Sequence, residues 1–432
     1  MNHTRILLTV FLWTLSLATW AAAPGRPPNI VLLIGDDQAW GDYGFMGHAD
    51  IRTPNLDQLA QEGQLFSHGY VPTALCRPSL ASLMTGLYPH QHGVSGNRVG
   101  GKDLTLRREG EQELARAFTQ LPRLAALLAE AGYSSFMGGK WWEGEYPTGG
   151  FSHGMSDNQG VTIGRETLQP VFDFIDETGD RPFLLWYAPF LPHFPHNPPQ
   201  RLLQYYLDRG LHPELAKYYA MCEWTDETIG QLRQYIEDTG QGENTVFVYL
   251  GDNGWLQPTA PVADHPWYFG APRGKGSAYE NGVRTPVILH WLGQLAPREE
   301  LSPISTIDLA PTLLRLAGQP VPAEMRGVDL LDHNALAVRP AVYGATFKHN
   351  MNLGGGLAGR LINRWLVSGR WKLIANQADA DVELYDLARD SGEHNNLAEN
   401  ENLVTERLLK LLDQWWAGVP KMQTKPAVHN PS

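Results

Sequence analysis

Cysteine is scarce. The 432-residue chain has two, Cys76 and Cys222. So few cysteines exclude a fold stapled by several disulfides and leave open a single bridge between the two. Cys222 falls in a helical pattern, far along the chain from the loop that carries Cys76. A basic excess is also missing: 34 Lys and Arg stand against 46 Asp and Glu, a net charge of −12. Nothing resembles the basic footprint of a nucleic-acid binder, so nucleic acid is excluded as a partner. An acidic chain that handles an anion must do so with a local group of cations. Internal repeats and low-complexity tracts are absent. Beyond the N-terminus no apolar run reaches the ~20 residues needed to cross a bilayer.

Aromatic and apolar residues are plentiful: 14 Trp, 16 Tyr and 14 Phe, with 43% hydrophobic residues overall. Such a composition folds around a packed core, and the length calls for a large domain plus a smaller one. The first residues read as a secretory signal. Arg5 supplies the positive charge, Ile6 to Trp20 the apolar stretch and Ala21-Ala22-Ala23 the small-residue cleavage site. The expected division is a signal peptide over 1–23, a main domain over 24–335 and a C-terminal subdomain over 336–432. The mature protein is expected to be exported, periplasmic or extracellular, with no stable membrane span.

Two stretches share one design. Asn29 to Asp37 reads N-I-V-L-L-I-G-D-D, and Thr245 to Gly254 reads T-V-F-V-Y-L-G-D-N-G. Each is an apolar run of the kind found in strands buried on both faces, closed by Gly and then by carboxylate or amide side chains. One such end alone would be an ordinary turn. Two in one chain predict parallel neighbours whose carboxyl ends bring Asp36, Asp37, Asp252 and Asn253 together, where open α/β sheets bind ligands. Three carboxylates and an amide oxygen form a hard cage suited to Ca²⁺ or Mg²⁺. Between these stretches the patterning alternates. It predicts helices from Leu121 to Ala131, Tyr218 to Asp238 and Ile307 to Ala317, and strands from Ser134 to Met137, Phe183 to Ala188 and Val287 to Trp291. The fold class is therefore α/β, with a doubly wound, mostly parallel sheet. After Ala335 come short strand patterns and a final helix carrying Leu408, Leu411, Leu412 and Trp415, a small α+β subdomain.

The stretch T-A-L-C-R-P-S-L-A-S-L-M-T-G puts Cys76 at a helix start, with Pro78 in the first turn and Gly86 as the stop. A thiol there sits in a positive field beside unpaired N–H groups that also suit a tetrahedral anion. A free cysteine is as often an inert core residue. Cations recur at strand ends: Lys140 after G-G, His193 in L-P-H-F-P, and Lys275 in the loop R-G-K-G-S-A-Y-E-N-G-V-R-T-P. Each alone is an ordinary loop residue. Together they describe a divalent cation with Lys and His groups around a tetrahedral anion.

At this point the chain resembles the type I, formylglycine-dependent sulfatases of the alkaline phosphatase superfamily. The likeness runs from about Pro28 to about Trp416. It is carried by L-I-G-D-D, T-P-N-L-D-Q-L-A-Q-E-G, C-R-P-S-L-A-S-L-M-T-G-L-Y-P-H, G-G-K-W, L-P-H-F-P, G-D-N-G, G-K-G-S-A-Y-E-N-G-V-R-T-P, I-D-L-A-P-T-L-L-R-L-A-G and E-L-Y-D-L, in that order. The resemblance implies an alkaline-phosphatase-like fold and an exported sulfuric ester hydrolase. It implies that a maturation enzyme oxidises Cys76 to formylglycine, whose hydrate attacks sulfur and later expels sulfate. Asp36, Asp37, Asp252 and Asn253 would bind Ca²⁺ (or Mg²⁺), with residue 76 as a further ligand. Lys140, His193 and Lys275 would hold the sulfate, and His193 or Lys275 would protonate the leaving alcohol. Arg284, with His153, Asp264, His265, Trp267 and Tyr268, would line the rim for a sulfated small molecule or saccharide.

Two positions depart from the family pattern. Leu80 stands where the C-x-P-S-R motif has Arg, and Trp142 stands where G-K-W-H has His. Both losses touch the formylglycine chemistry, while the metal and sulfate ligands are kept. Three readings follow: a sulfatase in which Arg77, Glu143 or another group compensates, a phosphodiesterase or phosphonate hydrolase of the same superfamily, or an impaired homologue that binds sulfate esters.

Overall fold

The computed structural model describes residues 26–155, 161–255, 273–351, 356–376 and 379–419. The expected signal peptide and the rim residues Asp264, His265, Trp267 and Tyr268 lie outside the described residues. In chain order the strands begin with β1 (Asn29–Gly35), β2 (Gln64–Tyr70), β3 (Arg98–Val99), β4 (Ser134–Gly139) and β5 (His153–Gly154). They continue with β6 (Phe183–Ala188), β7 (Thr245–Gly251), β8 (Arg284–Trp291), β9 (Arg298–Glu300) and β10 (Ile304–Ser305). Those of the C-terminal part are β11 (Val342–Phe347), β12 (Asn350–Met351), β13 (Leu361–Ser368), β14 (Trp371–Asn376) and β15 (Val382–Asp386).

The central sheet has the order β10-β2-β8-β7-β1-β6-β4-β5, with β9 beside β2. From β7 to β5 every pairing is parallel. β8 runs against both of its neighbours, so the sheet is mixed though mostly parallel. The continuous apolar runs of β1 and β7 have a simple cause: both faces are covered. Ile30, Leu32, Val246 and Val248 face a layer that includes Leu124, Leu128 and Leu313. Val31, Leu33, Phe247 and Tyr249 face Leu56, Ile175, Ile229 and Leu232.

Element ends differ from the sequence expectation in instructive places. The helix expected from Leu121 starts at Leu124, because Leu121 precedes Pro122 and is biased to extended backbone. The helix expected from Tyr218 starts at Pro213, where proline needs no N–H partner, and His212 Nδ1 accepts from the Glu214 N–H.

The C-terminal sheet is antiparallel, in the order β11-β13-β14-β15. On one face Leu366, Leu373 and Leu384 pack with Leu408 and Leu412 of the helix Asn402–Trp415. On the other, Trp365, Val367, Ile374 and Tyr385 pack with Tyr70, Val71, Ala74 and Val283 of the main body. This contact matters for the site, because Val283 closes the segment that carries Lys275.

Candidate active site

The register of β1 and β7 aligns Gly35 with Gly251. The residues that follow therefore leave the sheet side by side, and the Asp252 N–H donates to the Gly35 carbonyl at 2.8 Å. Asp37 then takes a left-handed backbone, φ 62°, which costs a non-glycine residue of order 1 kcal/mol or more and needs its surroundings to hold it. They do: its N–H donates to Asp252 Oδ1 at 3.1 Å, and its carboxylate accepts from Asn253 Nδ2 at 2.7 Å. Lys275 Nζ reaches both oxygens of Asp37, at 2.6 and 2.7 Å.

Cys76 opens the helix Cys76–Thr85, closed by Gly86 in the left-handed conformation, so the helix expected there is present and wholly buried. Its Sγ lies 3.0 Å from Lys275 Nζ, 3.5 Å from Asp37 Oδ1 and 3.9 Å from Asp36 Oδ1. Lys140 Nζ bridges Asp36 Oδ1 at 2.5 Å and Asp252 Oδ2 at 3.4 Å. It arrives on the end of β4, where Gly139 lets the backbone close on β6: a Cβ there would stand 2.1 Å from the Ala188 carbonyl oxygen. His193 faces Asp37 Oδ2 through Nε2 at 3.5 Å, while its Nδ1 donates to the Phe194 carbonyl at 2.5 Å. The structure thus brings Asp36, Asp37, Cys76, Lys140, His193, Asp252, Asn253 and Lys275 together at the carboxyl ends of the strands.

Arg284 is not brought to this cluster. Its guanidinium donates twice to the Ser67 carbonyl, faces Glu280 Oε2 at 3.4 Å and stacks 3.9 Å from the Trp40 ring. His153 is also elsewhere. It pairs with Phe136 within β4 and its ring packs on Phe174.

Charge and burial work against each other here. Burial opposes ionisation of Lys140, but Asp36, Cys76, Asp252 and Asp37 outweigh it and hold the ammonium charged. Burial likewise resists the charge on Asp37, yet Lys275, Lys140 and His193 keep its carboxyl below the ordinary range. Asp252 is pushed up to about 7 by burial, against the pull of Lys140. The Cys76 thiol is pushed well up, first by burial. Burial thus outweighs the activation that a helix start alone would give the thiol.

Within this cluster two buried acceptors have no hydrogen-bond partner, Asp36 Oδ2 and Asn253 Oδ1. Ligand atoms of Asp36, Asp37, Cys76 and Asp252 lie within 4.8 Å of one another. Orphaned oxygens in a closed group of carboxylates are what a hard divalent cation needs, so these residues fit such an ion.

The departures have definite consequences. Leu80 is 2% exposed and belongs to the hydrophobic layer with Leu83 and Met84. Trp142 stands with its ring centre 6.0 Å from Lys140 Nζ, and the Phe190 ring centre is 5.7 Å from the same ammonium. Where the pattern has a base, an aromatic face flanks the cation. Arg77 and Glu143 pair with each other through two hydrogen bonds, 2.7 and 2.8 Å, and Arg77 also meets Glu111 at 2.6 Å. Neither supplies the missing group in the cluster; the pair ties the Cys76 helix to the K-W-W-E loop.

Sequence reasoning missed Arg165. Its guanidinium donates to the carbonyls of Phe190 and His193 and so fixes the loop that presents the His193 ring. Nothing in T-I-G-R-E-T-L marks it.

Comparison with known proteins places this geometry. The sulfatase family profile matches residues 28–319, and the profile described as N-sulphoglucosamine sulphohydrolase, C-terminal, matches residues 265–416. Arylsulfatase A of Homo sapiens is 32% identical over 369 residues, covering 71% of this chain and 68% of its own. N-acetylgalactosamine-6-sulfatase of Mus musculus is 28% identical over 417 residues, covering 84% and 77%. The crystal structure of Ps i-CgsB shares the fold at a TM-score of 0.73 and 24% identity, over 90% of this chain and 93% of that one. The chain belongs to the sulfatase family, within the alkaline phosphatase superfamily. It is a sulfuric ester hydrolase, and the cluster around Cys76 is the part of it built for that chemistry.

Proposed function

We propose that the protein is an exported sulfatase acting on sulfated saccharides, with Ca²⁺ in the Asp36–Asp37–Asp252–Asn253 cage and residue 76 matured to formylglycine. One observation carries the reading: a sealed, protonated Cys76 sits between Lys275 and a carboxylate cage with two unpartnered oxygens. A thiol in that state is a poor nucleophile but a good precursor. When present, formylglycine supplies a hydrated carbon with an oxygen nucleophile. A bound cation supplies neutralisation of the surplus negative charge and polarisation of a sulfate oxygen.

The chain's own residues divide the remaining work. Lys140 and Lys275 are buried ammonium groups, suited to bind and orient sulfate oxygens as charge shifts onto them. His193 is the most exposed of these three groups, its side chain 31% exposed, which supports a position toward the leaving alcohol. With Nδ1 committed to the Phe194 carbonyl, Nε2 is the atom that gives the proton. The saccharide class is supported by the relatives, among them N-acetylgalactosamine-6-sulfatase and an ulvan-active sulfatase of Formosa agariphila. Removal of residues 1–23 and a formylglycine-generating enzyme as partner complete the reading.

The test is mass spectrometry of the peptide holding residue 76, on protein from its native host, together with sulfate release from sulfated saccharides. The aldehyde mass with sulfate release is expected. An intact thiol and no release from any ester would overturn the reading. Faster turnover of phosphodiesters or phosphonates than of sulfates would move the chain to the phosphoryl-transferring branch.

A further inference from the structure

Lys275 reaches the site on a segment that the main sheet alone does not fix. The Lys275 N–H donates to the Trp255 carbonyl, and the next residue, Gly276, donates to the Ala74 carbonyl. Beyond them, several side-chain grips come from the C-terminal sheet and the loop that follows it. Arg273, just upstream, donates to the Glu393 carbonyl and stacks on Tyr279. The Tyr279 hydroxyl donates to Glu383 of β15 at 2.9 Å. The Glu280 N–H donates to Glu393 Oε2 at 2.6 Å. Lys372 of β14, fully buried, joins the two carboxylates: its Nζ lies 2.8 Å from Glu280 Oε1 and 3.1 Å from Glu393 Oε1. Glu280 Oε2 in turn meets the Tyr70 hydroxyl and Arg284.

The same segment also abuts the metal ligands. Gly254, next to Asn253, lies so close to the 281–282 backbone that a Cβ on it would fall 1.7 Å from the Asn281 carbonyl oxygen. A shift of Glu280 therefore moves both the Lys275 ammonium and the wall behind Asn253.

We propose that Lys372 is a positioning residue for the sulfate-holding Lys275, acting through the Glu280–Lys372–Glu393 bridge between the C-terminal sheet and the 273–284 segment. This rests on the sulfatase reading above. It predicts an effect at the site from a residue about a hundred positions away that touches neither substrate nor metal.

The experiment is a double-mutant cycle on the full matured chain. Lys372→Met with Glu393→Gln removes one cation and one carboxylate together and leaves Glu280 paired with Arg284. In the parent background this change is expected to lower kcat/KM for 4-nitrophenyl sulfate by about tenfold or more, with a higher KM. In a Lys275→Ala background it is expected to change kcat/KM by less than about twofold, because the group being positioned is gone. Equal losses in both backgrounds would mean a purely structural role and overturn the proposal, as would no loss in the parent. Calorimetric titration with inorganic sulfate, run on the same four proteins, reads the cycle without turnover. Should the parent hydrolyse no sulfate ester, the functional reading fails. A sulfate-affinity loss seen in the parent background and not in Lys275→Ala would still uphold the positioning role, and its absence would overturn it.

Discussion

The molecule holds two buried clusters of charge, and they are built on opposite terms. In the Glu280 cluster two carboxylates face two cations, Lys372 and Arg284. Three of the four carboxylate oxygens accept a hydrogen bond, from Lys372, Arg284, the Tyr70 hydroxyl or a backbone N–H, and the fourth, Glu393 Oε1, accepts none but lies 3.1 Å from the Lys372 ammonium. In the Cys76 cluster three carboxylates face two ammonium groups and a half-exposed histidine, and two buried oxygens face nothing. Both were made by taking charge out of water, which is expensive unless the charge is paired. The first is balanced, two charges against two, and holds chain to chain. The second is left short of positive charge, and that shortage is what draws in a cation and an anionic ester.

The sharpest way to break the comparison is to neutralise one charge in each cluster. Asp252→Asn should lower sulfate-ester turnover by about 10⁴-fold, a loss of the size seen when a catalytic group is removed from a concerted site. Yet the metal-free variant should melt higher than the metal-free parent at pH 8. The sign follows from the raised pKa: burial pushes Asp252 up to about 7, so the folded parent loses stability as pH climbs from the ordinary carboxylate range through 7, and Asn removes that loss. A lower melting temperature for Asp252→Asn would show that the surplus charge is not a burden.

Lys372→Met should do the reverse. It strands Glu393 in the core, leaves Glu280 with Arg284 alone, and is expected to cost about 3–5 kcal/mol in urea unfolding. A loss near zero would mean that water reaches the cluster.

Metal removal sharpens the contrast further. Exhaustive chelation should lower the melting temperature, and Ca²⁺ at about 100 times its dissociation constant should restore about 2.7 kcal/mol. Mg²⁺ run in parallel would tell which ion the cage prefers. In Asp252→Asn the restored increment should shrink, while in Glu393→Gln it should stay.

The smallest effect belongs to Glu393. Burial pushes it up to about 7 despite Lys372, so the folded chain holds its proton more tightly than the unfolded chain. Stability from this group is therefore fullest below about pH 4.5 and declines as pH rises to about 7. Glu393→Gln should flatten the melting-temperature profile over that interval. An unchanged slope would place the titration elsewhere.

The reactive cluster was legible in the sequence because strand, turn and ligand are adjacent in the chain. The run I-V-L-L-I-G-D-D announces a strand buried on both faces and the carboxylates at its end in the same eight residues, and its echo at V-F-V-Y-L-G-D-N gives the partner. The supporting cluster was not legible. Lys372 and Glu393 lie far from Glu280 in sequence, and each alone looks like a solvated surface charge. Arg284 shows the same limit from the other side. Its place in E-N-G-V-R-T-P suggests a ligand for substrate, but only the fold shows that Ser67, Glu280 and Trp40 already engage it. The direction of β8 was hidden too, since an apolar run reads the same whichever way the strand is laid.

The burial of Cys76 sets a clock. A side chain that is 1% exposed is closed to the active site of any other protein, so an enzyme that oxidises it must reach the chain before the Cys76 helix docks. The bridge from the C-terminal sheet to the Lys275 segment cannot form until residues about 300 positions later have been made, roughly 15–60 s at the usual pace of synthesis. Under the proposed maturation, fold and modification would therefore compete in time, and a variant that folds sooner would leave more chains locked with the thiol intact.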